Sequence, residues 1–132
     1  MKRVIYIIFL LLIQLQPDAF GQSGKEWFRI KPDSVSSDST KYELIVIDPG
    51  FETWLLTKPP VNYCSQQYYE LKNRFFVLEW NYRYMHPLRY GSLYDTWIDY
   101  DPLVDYGLDL NYRLYYYFLF FQERNHVNLL GR

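Results

Sequence analysis

Cysteine is almost missing from this chain: Cys64 is the only one in 132 residues, so no disulfide can close within it. A domain without a staple must hold itself together through its core. Histidine is nearly as scarce. His86 and His126 share no zinc-ligand spacing with each other or with Cys64. A Cys64–His86 nucleophile pair is excluded if the chain between them is one continuous helix, because about 1.5 Å per residue separates them by roughly 30 Å. No glycine-rich phosphate loop and no G-x-S-x-G elbow occurs, so the usual marks of nucleotide enzymes and serine hydrolases are absent. Positive charge is not in excess either. The formal net charge is −1, which argues against a general nucleic-acid binder, since such a protein needs a basic face to neutralise phosphates. These absences predict no cofactor and no metal.

What the chain does have begins at its N-terminus. In "MKRVIYIIFLLLIQLQPDAFGQSG", Lys2 and Arg3 precede an apolar run from Val4 to Ile13, and Pro17 breaks it. Ala19 and Gly21 then stand where a signal peptidase inspects for small residues. This is the three-part layout of a cleavable secretory leader, residues 1–21, with the cut between Gly21 and Gln22. The apolar run is too short for a spanning helix, which needs roughly 20 such residues, so no transmembrane segment is expected once the leader is removed. No cysteine near the cut supports a lipid anchor. The expected location is the periplasm or the extracellular space. The 111 residues that follow suit one domain.

Aromatic residues make up 21% of the chain. Each ring can bury roughly 150–250 Å², which compensates for the missing disulfides. Residues 22–41, with the serine-rich "KPDSVSSDST", read as a flexible N-terminal segment; "EWFRIK" within it could form an edge strand. "KYELIVID" (41–48) is β-branched, apolar on both faces around Glu43, and reads as a buried strand. "DPGF" (48–51) admits two readings: a type II turn with Gly50 at positive φ, or a helix start with Asp48 as cap and Pro49 at the first position. The second makes "FETWLL" a short helix.

From Ser65, a suitable N-cap, the pattern is helical as far as Pro87. Tyr68, Leu71, Phe75, Leu78, Tyr82 and Met85 alternate at spacings of three and four, one continuous stripe predicted to face the core. Tyr69, Phe76 and Trp80 form a second row beside it that widens the buried face. Glu70–Arg74 and Glu79–Arg83 are placed as i,i+4 ion pairs. In "DLNYRLYYYFLFFQERN", Asp109 could cap a helix over 110–123. Tyr115–Phe121 is apolar on every side, so such a helix must be buried nearly all round. A central strand is the alternative.

"YYELKNRFFVLEWNYR" followed by "HPLRYG", together with "VDYGLDLNYRLYYYFLFF" and, upstream, "DPGFETWL", resembles a family of short exported proteins of unknown function from Gram-negative bacteria. The resemblance covers roughly residues 42–121, and the Glu-Trp-Asn helix is its most distinctive part. It implies an envelope location and a single domain, with no activity and no site residues.

The segment "YGSLYDTWIDYDPLVDYGLDLNY" (90–112) carries five tyrosines, one tryptophan and five aspartates with no Lys, Arg or His. Calcium is one reading of its acids, but Leu103 and Gly107 break the EF-hand spacing. Sugar is another, with Tyr94, Trp97 and Tyr100 as stacking rings and Asp99 and Asp101 to take hydroxyls. A structural reading turns the rings inward and the carboxylates to water. The enzymatic alternative is a small glycan-acting hydrolase, with Glu79 beside Trp80 as general acid and Asp95 or Asp99 as its partner, roughly 5–10 Å away. Asn73, Asn81 and Asn111 interrupt the aromatic stretches; facing inward they must be hydrogen-bonded, facing outward they would frame a polar site with Arg83, Arg89 and Arg113.

The chain is therefore expected to be α+β: a small N-terminal sheet, helices over about 65–86 and 110–123, and an acidic aromatic loop between them, within a compact domain over 42–132. A homodimer is expected if the sheet is too small to cover the second helix. The favoured function is a non-enzymatic exported domain that binds an envelope protein or glycan through Tyr94, Trp97, Asp99, Tyr100 and Asp101.

Overall fold

A computed structural model describes residues 28–35 and 40–131; the expected leader, residues 1–21, and its expected cut lie outside the described residues. The architecture is α+β. Strands β1 (Phe28–Val35) and β2 (Thr40–Val46) pair antiparallel, with Phe28 opposite Val46 and Pro32 opposite Tyr42. Helices α1 (Phe51–Leu55), α2 (Gln66–Tyr84), α3 (Pro87–Tyr90) and α4 (Gly107–Asn125) follow.

β1 begins in the expected edge strand and runs on through Lys31–Val35, into the stretch read as loop. Pro32 is tolerated because the ribbon has only two strands and the register shifts between Pro32 and Ser34. β2 is less buried than its composition suggests. Among its described side chains only Leu44 is fully buried, while Glu43 on the opposite face reaches Lys31 at 3.5 Å and Ile47, just past its end, is exposed. Alternation has won over apolar content, since a ribbon packed on one side buries every second residue.

Of the two readings of "DPGF" the turn is realised, and a short helix follows it. Gly50 takes φ 90°, and Phe51 N–H donates to Asp48 O at 3.3 Å, closing a type II turn. The helix then starts at Phe51 with Gly50, not Asp48, as its cap.

α4 is the centre of the molecule, and a helix rather than a strand. Asn111, Leu114, Tyr117 and Phe118 are fully buried, and the faces around them meet α2, α1 and β2. The all-round apolar pattern thus finds cover within one chain. Tyr106 occupies the N-cap position and Asp109 lies in the first turn, where its charge suits the helix dipole. Arg113 pairs with Glu52, Trp54 Nε1 donates to Glu123 Oε2 at 3.1 Å, and Tyr112 Oη donates to Pro59 O at 2.8 Å. These bonds moor α1 and its following turn to α4.

α2 buries only the second of the two rows expected to face the core. Ser65 does cap it, its hydroxyl accepting from Tyr68 N–H at 3.2 Å. The core face, however, is the second row, Tyr69, Phe76 and Trp80, joined by Val77, Asn73 and Asn81. The regular stripe of Tyr68, Leu71, Phe75, Leu78, Tyr82 and Met85 points to solvent. The reason is that the asparagines find main-chain partners inside, so their row can be buried whole. Glu79 and Arg83 pair as expected, at 2.6 Å. Glu70 instead accepts from Gln66 Nε2 at 2.8 Å, and Arg74 Nη2 reaches Pro102 O at 3.2 Å.

Candidate functional site

The acidic aromatic segment runs from the end of α3 to the start of α4 and lies along α2. It is irregular, so its backbone groups need partners outside a ladder. The helix provides them. Trp80 Nε1 donates to Thr96 O at 2.7 Å, Asn81 Nδ2 donates to Ile98 O at 2.9 Å, and Ile98 N–H donates to Asn81 Oδ1 at 2.9 Å. Asn81 thus bonds one loop residue at both of its main-chain groups, as a neighbouring strand would. Further along, Gln66 Nε2 donates to Asp105 Oδ1 at 2.7 Å. The three asparagines face inward and act in packing. Asn73 Nδ2 donates to Asn111 O at 2.9 Å, and Tyr100 Oη donates to Asn111 Oδ1 at 2.8 Å.

The candidate binding residues separate into two groups. Tyr94 is 4% exposed, its ring edge-on to Trp80 at 5.1 Å and its hydroxyl accepting from Arg83 Nη1 at 2.8 Å. Tyr100 is half-buried and stacks on Tyr106 at 5.0 Å, with burial raising both phenols. These rings belong to the interior. Trp97, by contrast, is 49% exposed and stands edge-on to Tyr84 at 6.0 Å, itself exposed at the end of α2. Asp99 and Asp101, in the same loop, are exposed. Tyr84 stands at i+4 from Trp80 and continues the second apolar row of the helix, so the sequence gives it no mark of its own. Only its approach to Trp97, thirteen positions on, marks it.

The carboxylates of the loop serve as turn formers. Asp101 Oδ1 accepts from Leu103 N–H at 2.8 Å and Asp105 Oδ1 from Gly107 N–H at 3.0 Å, the latter setting up the positive φ of Gly107 where α4 begins. Asp95 is half-buried and accepts from Thr96 Oγ1 at 3.3 Å. Among the described residues no group of three or more His, Cys, Asp or Glu is placed to hold a metal ion.

Glu79, the candidate general acid, accepts from Arg83 Nε at 2.6 Å. Arg83 is a junction: it also donates to Tyr94 Oη and, through Nη2, to Asn128 O at 2.8 Å. Burial works against its charge, but Glu79 and Tyr94 outweigh that and raise its pKa. His86 Nδ1 lies 2.6 Å from Tyr82 O, and Cys64 is a free, half-buried thiol.

One polar cluster was not visible in the sequence. The Asp48 side chain is 8% exposed and pairs with Arg124, which also donates to Pro49 O at 2.8 Å. Burial raises the Asp48 carboxyl, with Arg124 opposing. The cluster ties the turn before α1 to the end of α4, a contact across 76 positions that no local pattern announces.

Among the described residues no helix is long and apolar enough to cross a membrane. No curated protein and no solved structure matches the chain. A family model does match, over residues 3–131, and on that ground the protein belongs to DUF6146, a family of unknown function.

Proposed function

We propose that this is an exported protein of the Gram-negative cell envelope, cut after Gly21, that acts by binding an envelope protein or glycan and not by catalysis. Export rests on the leader layout of residues 1–21. Binding rests on one observation, the exposed Trp97 ring set against exposed Tyr84, in the loop that also carries exposed Asp99 and Asp101. A large ring left half in water and buttressed by a second ring is suited to stack on a sugar face or to seat in a partner's pocket. The recognition patch is therefore narrower than the full 94–101 set, since Tyr94 is buried against Trp80 and Tyr100 stacks on Tyr106. The hydrolase alternative draws nothing from Glu79, whose carboxylate is engaged by Arg83.

The test is a glycan array together with capture from envelope extracts, using protein recovered from the periplasm and its Trp97→Ala variant. A reproducible ligand should lose at least about tenfold in affinity on Trp97→Ala, with near-UV circular dichroism otherwise preserved. Two blank screens, or a ligand indifferent to Trp97, overturn the reading.

A further inference from the structure

The outward face of α2 is more apolar than a solvated helix face should be. Phe75 is 52% exposed, Leu78 69% and Met85 58%, and Tyr68, Leu71 and Tyr82 continue the line. Six such side chains, each leaving on the order of 100 Å² in water, make a patch of roughly 600 Å², more than a monomer ordinarily shows without a use. Scattered exposed residues would need no account, but these do not scatter. They keep strict three–four alternation for two and a half heptads, the pattern of a helix–helix seam.

We propose that this face is a homodimer interface in which α2 packs antiparallel against α2 of a second copy, about a two-fold axis between Phe76 and Val77. The sequence of the seam selects both partner and direction. Its first heptad positions are all rings, Tyr68, Phe75 and Tyr82; its other positions are all aliphatic, Leu71, Leu78 and Met85. Antiparallel pairing sets first positions against the partner's other positions. Each layer then holds one ring and one aliphatic chain: Phe75 on Leu78, Leu71 on Tyr82, Tyr68 on Met85. Layer volume stays constant along the seam, as good packing requires, and the outer layers gain a thioether–ring contact. Parallel pairing would stack ring on ring and leave the alternate layers thin.

Charge agrees with that register. Lys72 and Glu79 lie on the same edge of the seam, seven residues apart, and the two-fold axis sets each opposite the other's counterpart. Arg83 takes only Oε1 of Glu79. Two faces of this size give a total of about 1,200 Å², the lower end of stable interfaces. The surface is separate from the Trp97 patch, so the inference goes beyond the proposed function.

Sedimentation equilibrium of the exported protein, from about 1 to 100 µM, should show a monomer–dimer equilibrium. Leu78→Glu places two carboxylates in the seam and should weaken the dimer by more than about a hundredfold. It should leave the fold intact, because most of the Leu78 side chain stands in solvent. Direction is read with differently tagged chains in a Cys64→Ser background. Phe75→Cys chains should cross-link to Leu78→Cys chains on oxidation, and neither to itself. Self-cross-linking of both single variants means a parallel pair and overturns the antiparallel register. A chain monomeric throughout the range overturns the proposal, as does a monomer that binds phospholipid vesicles through Leu78. Trp97→Ala should leave the equilibrium unmoved.

Discussion

Single polar residues inside this aromatic core do more than fill space, and two asparagines on the same helix face separate the cases. Asn81 exchanges two hydrogen bonds with the main chain of buried Ile98. Replacing it by leucine keeps the volume but strands an N–H and a carbonyl away from water. Each orphan costs about 1–3 kcal/mol, so Asn81→Leu should lower stability by about 2–4 kcal/mol, read from the urea midpoint at unchanged slope. Asn73 is different. It donates to Asn111 O, a carbonyl within α4, and its own Oδ1 is buried with no partner among the described residues. Asn73→Leu removes that orphan and creates none, so it should cost well under half as much. Equal losses at the two positions would mean that volume, and not main-chain bonding, explains why asparagine stands there.

At the scale of elements, α2 shows how far pattern can be read and where it fails. Its existence, its Ser65 cap and its end before Pro87 follow from local chemistry and are all present. Its orientation does not follow, because the helix is apolar on two opposite faces. The more regular face carries no polar residue; the other is interrupted by Asn73 and Asn81, so it reads as the poorer core. The groups that make those asparagines acceptable inside lie 38 and 17 positions away, beyond any helical periodicity. α4 was legible for the converse reason: apolar all round, it could go nowhere but the centre. The Trp97–Tyr84 pair and the Asp48–Arg124 tie depend on tertiary approach alone. The orientation of α2 is testable by adjacent truncations. Phe76, buried against Phe118 at 5.0 Å, should cost about 3–5 kcal/mol as alanine. Phe75→Ala should cost less than about 1 kcal/mol when measured at dilutions where the chain is monomeric. Reversed magnitudes would turn the helix over.

For the whole molecule, the choice to build a core from tyrosines fixes a response to alkali. Burial raises the phenols of Tyr100, Tyr106, Tyr112, Tyr115, Tyr116 and Tyr117 above the ordinary 10.0, and pushes Tyr69 up to about 12. A group whose pKa is higher folded than unfolded contributes stability that is whole below its unfolded pKa. That contribution is lost as pH rises toward the folded value. These phenols share the contacts around α4, with Tyr69 edge-on to Tyr112 at 5.7 Å and Tyr112 beside Tyr116 at 4.8 Å. Ionising one would place a charge among the rest, so they resist together until the fold gives way. Stability should accordingly hold to about pH 10 and then fall steeply. In tyrosinate absorbance the interior set should ionise in one step coincident with loss of helical circular dichroism. A single smooth titration of all the tyrosines with the helices still intact would show that water reaches these rings in the folded state. The core would then be open where the packing of α4 against α2 requires it to be closed.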